Sequence, residues 1–175
     1  MSTRLTLPKV TETEVASVEG PWIISFQAGR GAPGSITLDK LSPWNENADA
    51  GVKYFSGIGT YSKEVNIAPE SLPRGAQVWL DLGDVKNLAE VLVNGKSLGV
   101  VWHAPYRVDV TSALKAGKNT LTIKVVNAWV NRLIGDEQPN ATKYTFADVK
   151  PYKASSPLLP SGLLGPVRIV SVVRR

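Results

Sequence analysis

Asp81, Asp84 and Asp109 are carboxylates at strand ends or turns, and His103 is the single histidine of the sequence. Two carboxylates held about 5 to 10 Å apart in a pocket can hydrolyse a glycosidic bond. None of these acids sits in a recognisable catalytic motif, and carboxylates in such places ordinarily accept hydrogen bonds from backbone N–H groups. A Ser–His–Asp arrangement would have to use His103. That residue stands beside Trp102 and before Ala104-Pro105, where three readings are open: a partly exposed loop histidine, a base, or a contact to a sugar. The sequence has no cysteine, which removes thiolate nucleophiles and zinc–thiolate sites. The expectation is a domain without catalytic residues of its own.

Binding of a hydroxyl-rich ligand has a different signature. Flat aromatic side chains meet the C–H faces of a sugar ring, while planar polar groups make paired hydrogen bonds to its hydroxyls. Five Trp and five Tyr are enough for such a site. Trp79 alternates with Val78 and Leu80 and reads as a sheet residue near the core, and Trp22 also reads as structural. Trp44, Trp102 and Trp129 each occur where a strand meets a loop. Their neighbours are polar: Asn45 and Glu46, His103, and Asn127 with Asn131 and Arg132. Each of the three can line a sugar-facing surface or act as a packing lid.

The elements that would position these residues are strands. Residues 22–26 and 35–38 are short runs of strand formers separated by a Gly- and Pro-rich loop, and residues 41–51 read as a polar loop carrying Trp44. Residues 59–67, 77–82, 89–93, 96–102, 106–110 and 119–126 follow as strands, most alternating apolar with polar. Asn94-Gly95 is a strong hairpin signal. Residues 111–117 read as one helical turn ended by glycine. Residues 127–162 show no periodicity, and loops that long are usually functional or flexible. A last strand covers residues 165–173. Many strands and hardly any helix imply an all-β sandwich or jelly roll, with residues 1–19 an N-terminal extension and 20–175 a single domain.

Composition narrows the classes. At 175 residues, 43% hydrophobic and 20% charged, the chain can bury a full core without cross-links. The net charge of +5 comes from scattered residues, with only Arg174-Arg175 adjacent at the end, so no basic stripe marks a nucleic-acid interface. No apolar run reaches the roughly 20 residues that span a bilayer, and the first residues lack the apolar stretch of a secretory signal. Met1 reads as an expression start on an excised fragment, so that lack does not locate the parent protein.

Residues 59–67, residues 78–85 running into 89–99, and residues 105–125 together resemble the sugar-binding-like, galactose-binding-like β-sandwich of glycoside hydrolase family 2. The flanks Pro43-Trp44, 51–57, 127–136 and 159–166 resemble the C-terminal sandwich of family 106 α-L-rhamnosidases. The resemblance implies a jelly roll attached to a catalytic domain in an extracytoplasmic bacterial enzyme acting on pectin. It implies that loops 42–54 and 127–138 approach the pocket of that neighbour, so that Asn45, Tyr54, Asn131, Arg132, Asp136 and Glu137 would face sugar. It also implies a structural calcium, for which Asp136, Glu137 and carbonyls of the same loop are candidates, although no EF-hand loop is present. No other cofactor is expected. The leading expectation is a carbohydrate-binding module for plant cell-wall glycans containing rhamnose, galactose or uronic acid; the alternative is a structural sandwich that completes a catalytic pocket.

Overall fold

The computed structural model describes residues 9–72 and 75–174. The first eight residues of the expected extension, and Arg175 of the closing basic pair, lie outside the described residues. In chain order the strands are β1 Val10–Ser17, β2 Trp22–Phe26 and β3 Ser35–Leu38, then helix α1 Ala50–Lys53 and β4 Ile58–Ile67. Next come β5 Gln77–Asp81, β6 Asp84–Lys86, β7 Leu88–Val93, β8 Lys96–Val101, β9 Arg107–Asp109 and β10 Gly117–Val126. Helix α2 Val130–Asp136, β11 Gly162–Gly165 and β12 Arg168–Arg174 complete the chain. Six strands pair in the order β3-β2-β4-β10-β7-β8 and four in the order β1-β12-β5-β9, with β11 and β6 forming a small third pair. The paired strands run antiparallel. This is the all-β sandwich that the alternating segments require.

Alternation fills the core. In β2 the buried Trp22, Ile24 and Phe26 interleave with exposed Ile23 and Ser25. Ala89, Val91 and Val93 of β7 and Leu121, Ile123 and Val125 of β10 do the same, meeting Leu80 and Ile169 from the smaller sheet. Asn94 and Gly95 both take positive φ, 52° and 80°, the mirror-image turn whose twist suits a two-residue hairpin, so Val93 pairs with Lys96.

Four features differ from the sequence reading. Residues 10–17 of the expected extension form β1, which pairs along β12. Its Thr-Glu-Thr-Glu run is exposed on both faces, so no apolar alternation reveals it. Its Glu12 and Glu14 instead reach Arg107 and Arg168, at 2.9 and 4.0 Å. Trp79 lies half-buried on the outer face of the four-stranded sheet, between Val170 and Asp109, rather than toward the core. The polar loop 41–51 contains a single 3₁₀ turn at Trp44–Glu46 and the start of α1. The aperiodic stretch 127–162 contains α2.

The three aspartates are spent as turn and pairing groups. Asp81 Oδ1 accepts from Gly83 N–H at 2.9 Å, and its Oδ2 lies 3.1 Å from both Arg107 and Arg168. Asp109 accepts from Thr111 N–H at 2.9 Å, and Asp84 pairs with Lys86 at 2.9 Å.

Candidate binding cleft

The loops at one end of the six-stranded sheet are tied together by side chains that bond to backbone. Asn127 accepts from Gly57 N–H at 3.0 Å and donates to Phe55 carbonyl at 2.8 Å, while Ser56 donates to Ala128 carbonyl at 2.9 Å. Residues 55–57, between α1 and β4, are therefore tied to residues 127–128, just before α2.

Trp44 anchors that end from within. It is 1% exposed, stacks on Tyr61 at 6.2 Å and meets Phe26 and Phe55 edge-on. A side chain at Gly59 or Gly162 would intrude on the Trp44 indole, so two glycines clear the space it fills. Tyr61 beside it accepts from Leu163 N–H at 2.9 Å, and burial pushes its phenol well above the usual tyrosine range.

Helix α2 turns its polar side chains inward, onto the long loop that follows. Asn131 donates to Leu159 carbonyl at 2.7 Å and accepts from Leu159 N–H at 2.8 Å. Asp136 accepts from Tyr144 N–H at 3.1 Å, from Thr145 N–H at 2.8 Å and from the Thr145 hydroxyl. Gln138 donates to Ala154 carbonyl at 2.9 Å, and Glu137 faces Lys150 at 3.2 Å and Lys143 at 4.0 Å. Residues 138–160 are thus pinned at several points despite having no regular structure.

Between α1, α2 and this loop lies a cleft of about 290 Å³, its polar wall made by Tyr54, Arg132, Gln138 and Tyr144. Arg132 is 4% exposed. Its Nε sits 2.9 Å from Asp136 Oδ1 as a charge contact, and its guanidinium carbon lies 5.0 Å from the centroid of the Tyr144 ring. Its Nε has no hydrogen-bond partner among the described residues, and a Cβ built on Gly31 or Gly135 would approach its Nη1 or Nη2, which places the guanidinium against the cleft. Gly135 lets α2 approach: a Cβ there would meet Tyr54 and the Arg132 Nη2. Such a cleft can grip a small polyhydroxyl ligand by Nη donors and tyrosine faces, but no carboxylate pair stands in it for hydrolysis.

The ten expected site residues divide accordingly. Tyr54 and Arg132 line the cleft. Trp44, Asn131 and Asp136 are buried, the first in the core and the other two as loop clamps, so they do not offer the sugar-facing surfaces expected of them. Asn45 is half-buried with its Oδ1 lacking a partner among the described residues, and Glu137 is occupied by lysines. Trp129 is 49% exposed beneath the Arg30 guanidinium, 4.8 Å from its ring centre. Trp102, 70% exposed, packs edge-on against His103 beyond edge strand β8 and does not line the cleft. His103 Nδ1 lies 2.9 Å from Ala104 carbonyl, which makes it a loop histidine. Tyr144 and Gln138 were not singled out by the sequence, because nothing in an aperiodic loop distinguishes one tyrosine from another.

Calcium takes roughly six to eight oxygen ligands. Asp136 gives its oxygens to N–H and O–H donors and to Arg132, Glu137 faces two lysines, and no cluster of three potential metal ligands occurs among the described residues. These residues do not fit the ion.

The profile of the glycosyl hydrolase 2 galactose-binding domain-like family matches residues 46–156. A protein of Formosa agariphila named as a candidate beta-glucuronidase is 36% identical over 95% of this chain and 17% of its own length. The structure of a rhamnosidase from Novosphingobium sp. PP1Y superposes with a TM-score of 0.91 at 51% identity, over 96% of this chain and 16% of that one. A beta-glucuronidase of Ruminococcus gnavus, at 18% identity and a TM-score of 0.61 over 98% of this chain and 30% of its own, shares the fold. The chain spans 16 to 17% of the length of the first two relatives.

Proposed function

This chain belongs to the glycosyl hydrolase 2 galactose-binding domain-like family, and from that premise we propose that it serves a larger glycoside hydrolase as a non-catalytic carbohydrate-binding module. The observation that carries the reading is Arg132, a buried guanidinium packed on the Tyr144 ring in a cleft that Tyr54 also lines. A guanidinium presents its N–H donors in a fixed planar fork, and sugar hydroxyls are acceptors that suit it. Plant cell-wall glycans are the ligand class, with rhamnose-containing and pectic polymers first because a rhamnosidase is 51% identical. The net charge of +5 favours acidic polymers through long-range attraction. The reading assigns the parent enzyme to the periplasm or the exterior, where such polymers are met.

Isothermal titration against a panel of pectic polysaccharides tests it. Binding by the folded chain that is lost in Tyr54→Ala and Tyr144→Ala, and kept in Trp102→Ala, is the expected result. A folded protein that binds no glycan would sink it.

A second reading is favoured by a specific observation. Phe146 is 99% exposed and Val149 74% exposed, on the loop that Asp136 and Glu137 hold in place. A clamped loop presenting bare apolar side chains suits packing against a neighbouring catalytic domain.

A further inference from the structure

A larger cleft, of about 550 Å³, lies away from the loops just described, where the start of β2, the turn after β3 and the junction of β11 with β12 come together. Its size falls within the range of small-molecule sites. The walls combine aliphatic Leu41 and Leu164 with the charged Glu19, Asp39 and Lys40, and the buried Trp22 lies behind them. We propose that this cleft is a second ligand site, taking a neutral sugar of one or two rings.

The cleft is built by close approach. Gly20 stands so near the Asp39 carbonyl that any side chain there would collide with it, and a Cβ on Gly165 would lie 3.0 Å from Leu41 Cδ1. The turn bearing Asp39 is therefore pressed against the segment bearing Glu19, and both residues border one opening. Trp22 is wholly buried, yet its Nε1 has no hydrogen-bond partner among the described residues. Indole N–H groups usually find an acceptor when buried. Glu19 has only a 3.5 Å contact from the Ser17 hydroxyl, and Asp39 and Lys40 make no side-chain hydrogen bond or ion pair among the described residues. The open groups supply carboxylate acceptors and an ammonium donor beside aliphatic side chains, an inventory that a polyhydroxyl ring with C–H faces satisfies.

Charge decides which sugar. Two carboxylates against one ammonium leave the mouth net negative, which disfavours a uronate and admits a neutral ring. The inference does not rest on the Tyr54–Arg132 cleft: Trp22 opens β2 and that cleft lies beyond its end, roughly 13 Å further along the strand.

The test is a ¹H–¹⁵N correlation titration of the folded chain, following the assigned Trp22 indole N–H. The probes are galactose and rhamnose, with galacturonate and ethanolamine as acidic and cationic counterparts. A saturable shift with a neutral sugar is expected, unchanged in Tyr54→Ala. In a Glu19→Gln, Asp39→Asn double variant with an intact spectrum, affinity should fall by at least about tenfold. The proposal is overturned by the absence of a saturable shift with either neutral sugar, by a stronger response to galacturonate or ethanolamine, or by equal affinity in the double variant. Loss of the shift in Tyr54→Ala would equally overturn it, since the ligand would then sit in the loop cleft.

Discussion

At the scale of single residues, Trp44 and Trp129 look alike in sequence, each at a strand–loop boundary among polar neighbours, yet one is 1% and the other 49% exposed. What separates them is the empty space at Gly59 and Gly162, distant in sequence, into which only Trp44 fits. Truncating Trp44 to Ala should cost about 3–5 kcal/mol, the usual range for a buried Trp. Trp129→Ala should stay within about 0.5 kcal/mol, and chemical denaturation of the two variants side by side checks the contrast. Asp136 shows the same illegibility. The family resemblance implies that it faces sugar, but it accepts N–H and O–H donors from Tyr144 and Thr145. Asp136→Asn should destabilise by about 1–3 kcal/mol, because an amide offers one acceptor oxygen where the carboxylate offered two. The same variant should expose residues 138–160 to limited proteolysis ahead of global unfolding.

At the scale of elements, what local pattern dictates was readable and what distant pairing dictates was not. The Asn94-Gly95 hairpin and strands β2, β4, β7 and β10 follow from turn chemistry and period-two burial. Strand β1 escaped because an edge strand exposed on both faces is specified by backbone pairing and by Glu–Arg contacts from other strands. Helix α2 escaped because its buried face is largely polar, Asn131, Arg132 and Asp136, and its partners belong to a loop. Cross-strand chemistry gives this scale a pH test. Glu90 on β7 is held below its ordinary value of 4.5, first by the hydrogen bond from Lys124 on β10 and then by that from Ser97 on β8. A depressed carboxylate stabilises the fold above its unfolded pKa, and that contribution is lost as pH falls through the folded value. Wild type should therefore exceed Glu90→Gln in urea midpoint at neutral pH, with the gap closing as pH drops below about 4.5. A gap that stays constant down to acid would place the stabilisation in packing instead.

At the scale of the whole molecule, the sandwich spans 16 to 17% of the length of the Formosa agariphila and Novosphingobium relatives, and it presents two kinds of surface. One is concave and polar, the cleft of Tyr54, Arg132 and Tyr144; the other is the projecting apolar tip of Phe146 and Val149. The tip is held by hydrogen bonds and ion pairs at its base, so its shape is set before any partner arrives, which lowers the ordering cost of docking. Exposed apolar side chains contribute nothing to the isolated chain and gain about 25 cal/mol per Å² when a neighbour covers them. Phe146→Asp should accordingly leave the unfolding midpoint of the isolated chain unchanged. On the reading that this tip packs on a catalytic neighbour, the same substitution in the complete enzyme should lower the midpoint at which this domain unfolds, because the docked state would lose an aromatic contact and gain a buried charge. Calorimetry of both forms, with and without the substitution, measures the difference directly. An equal effect in the two forms would mean that Phe146 faces solvent in the enzyme as it does here.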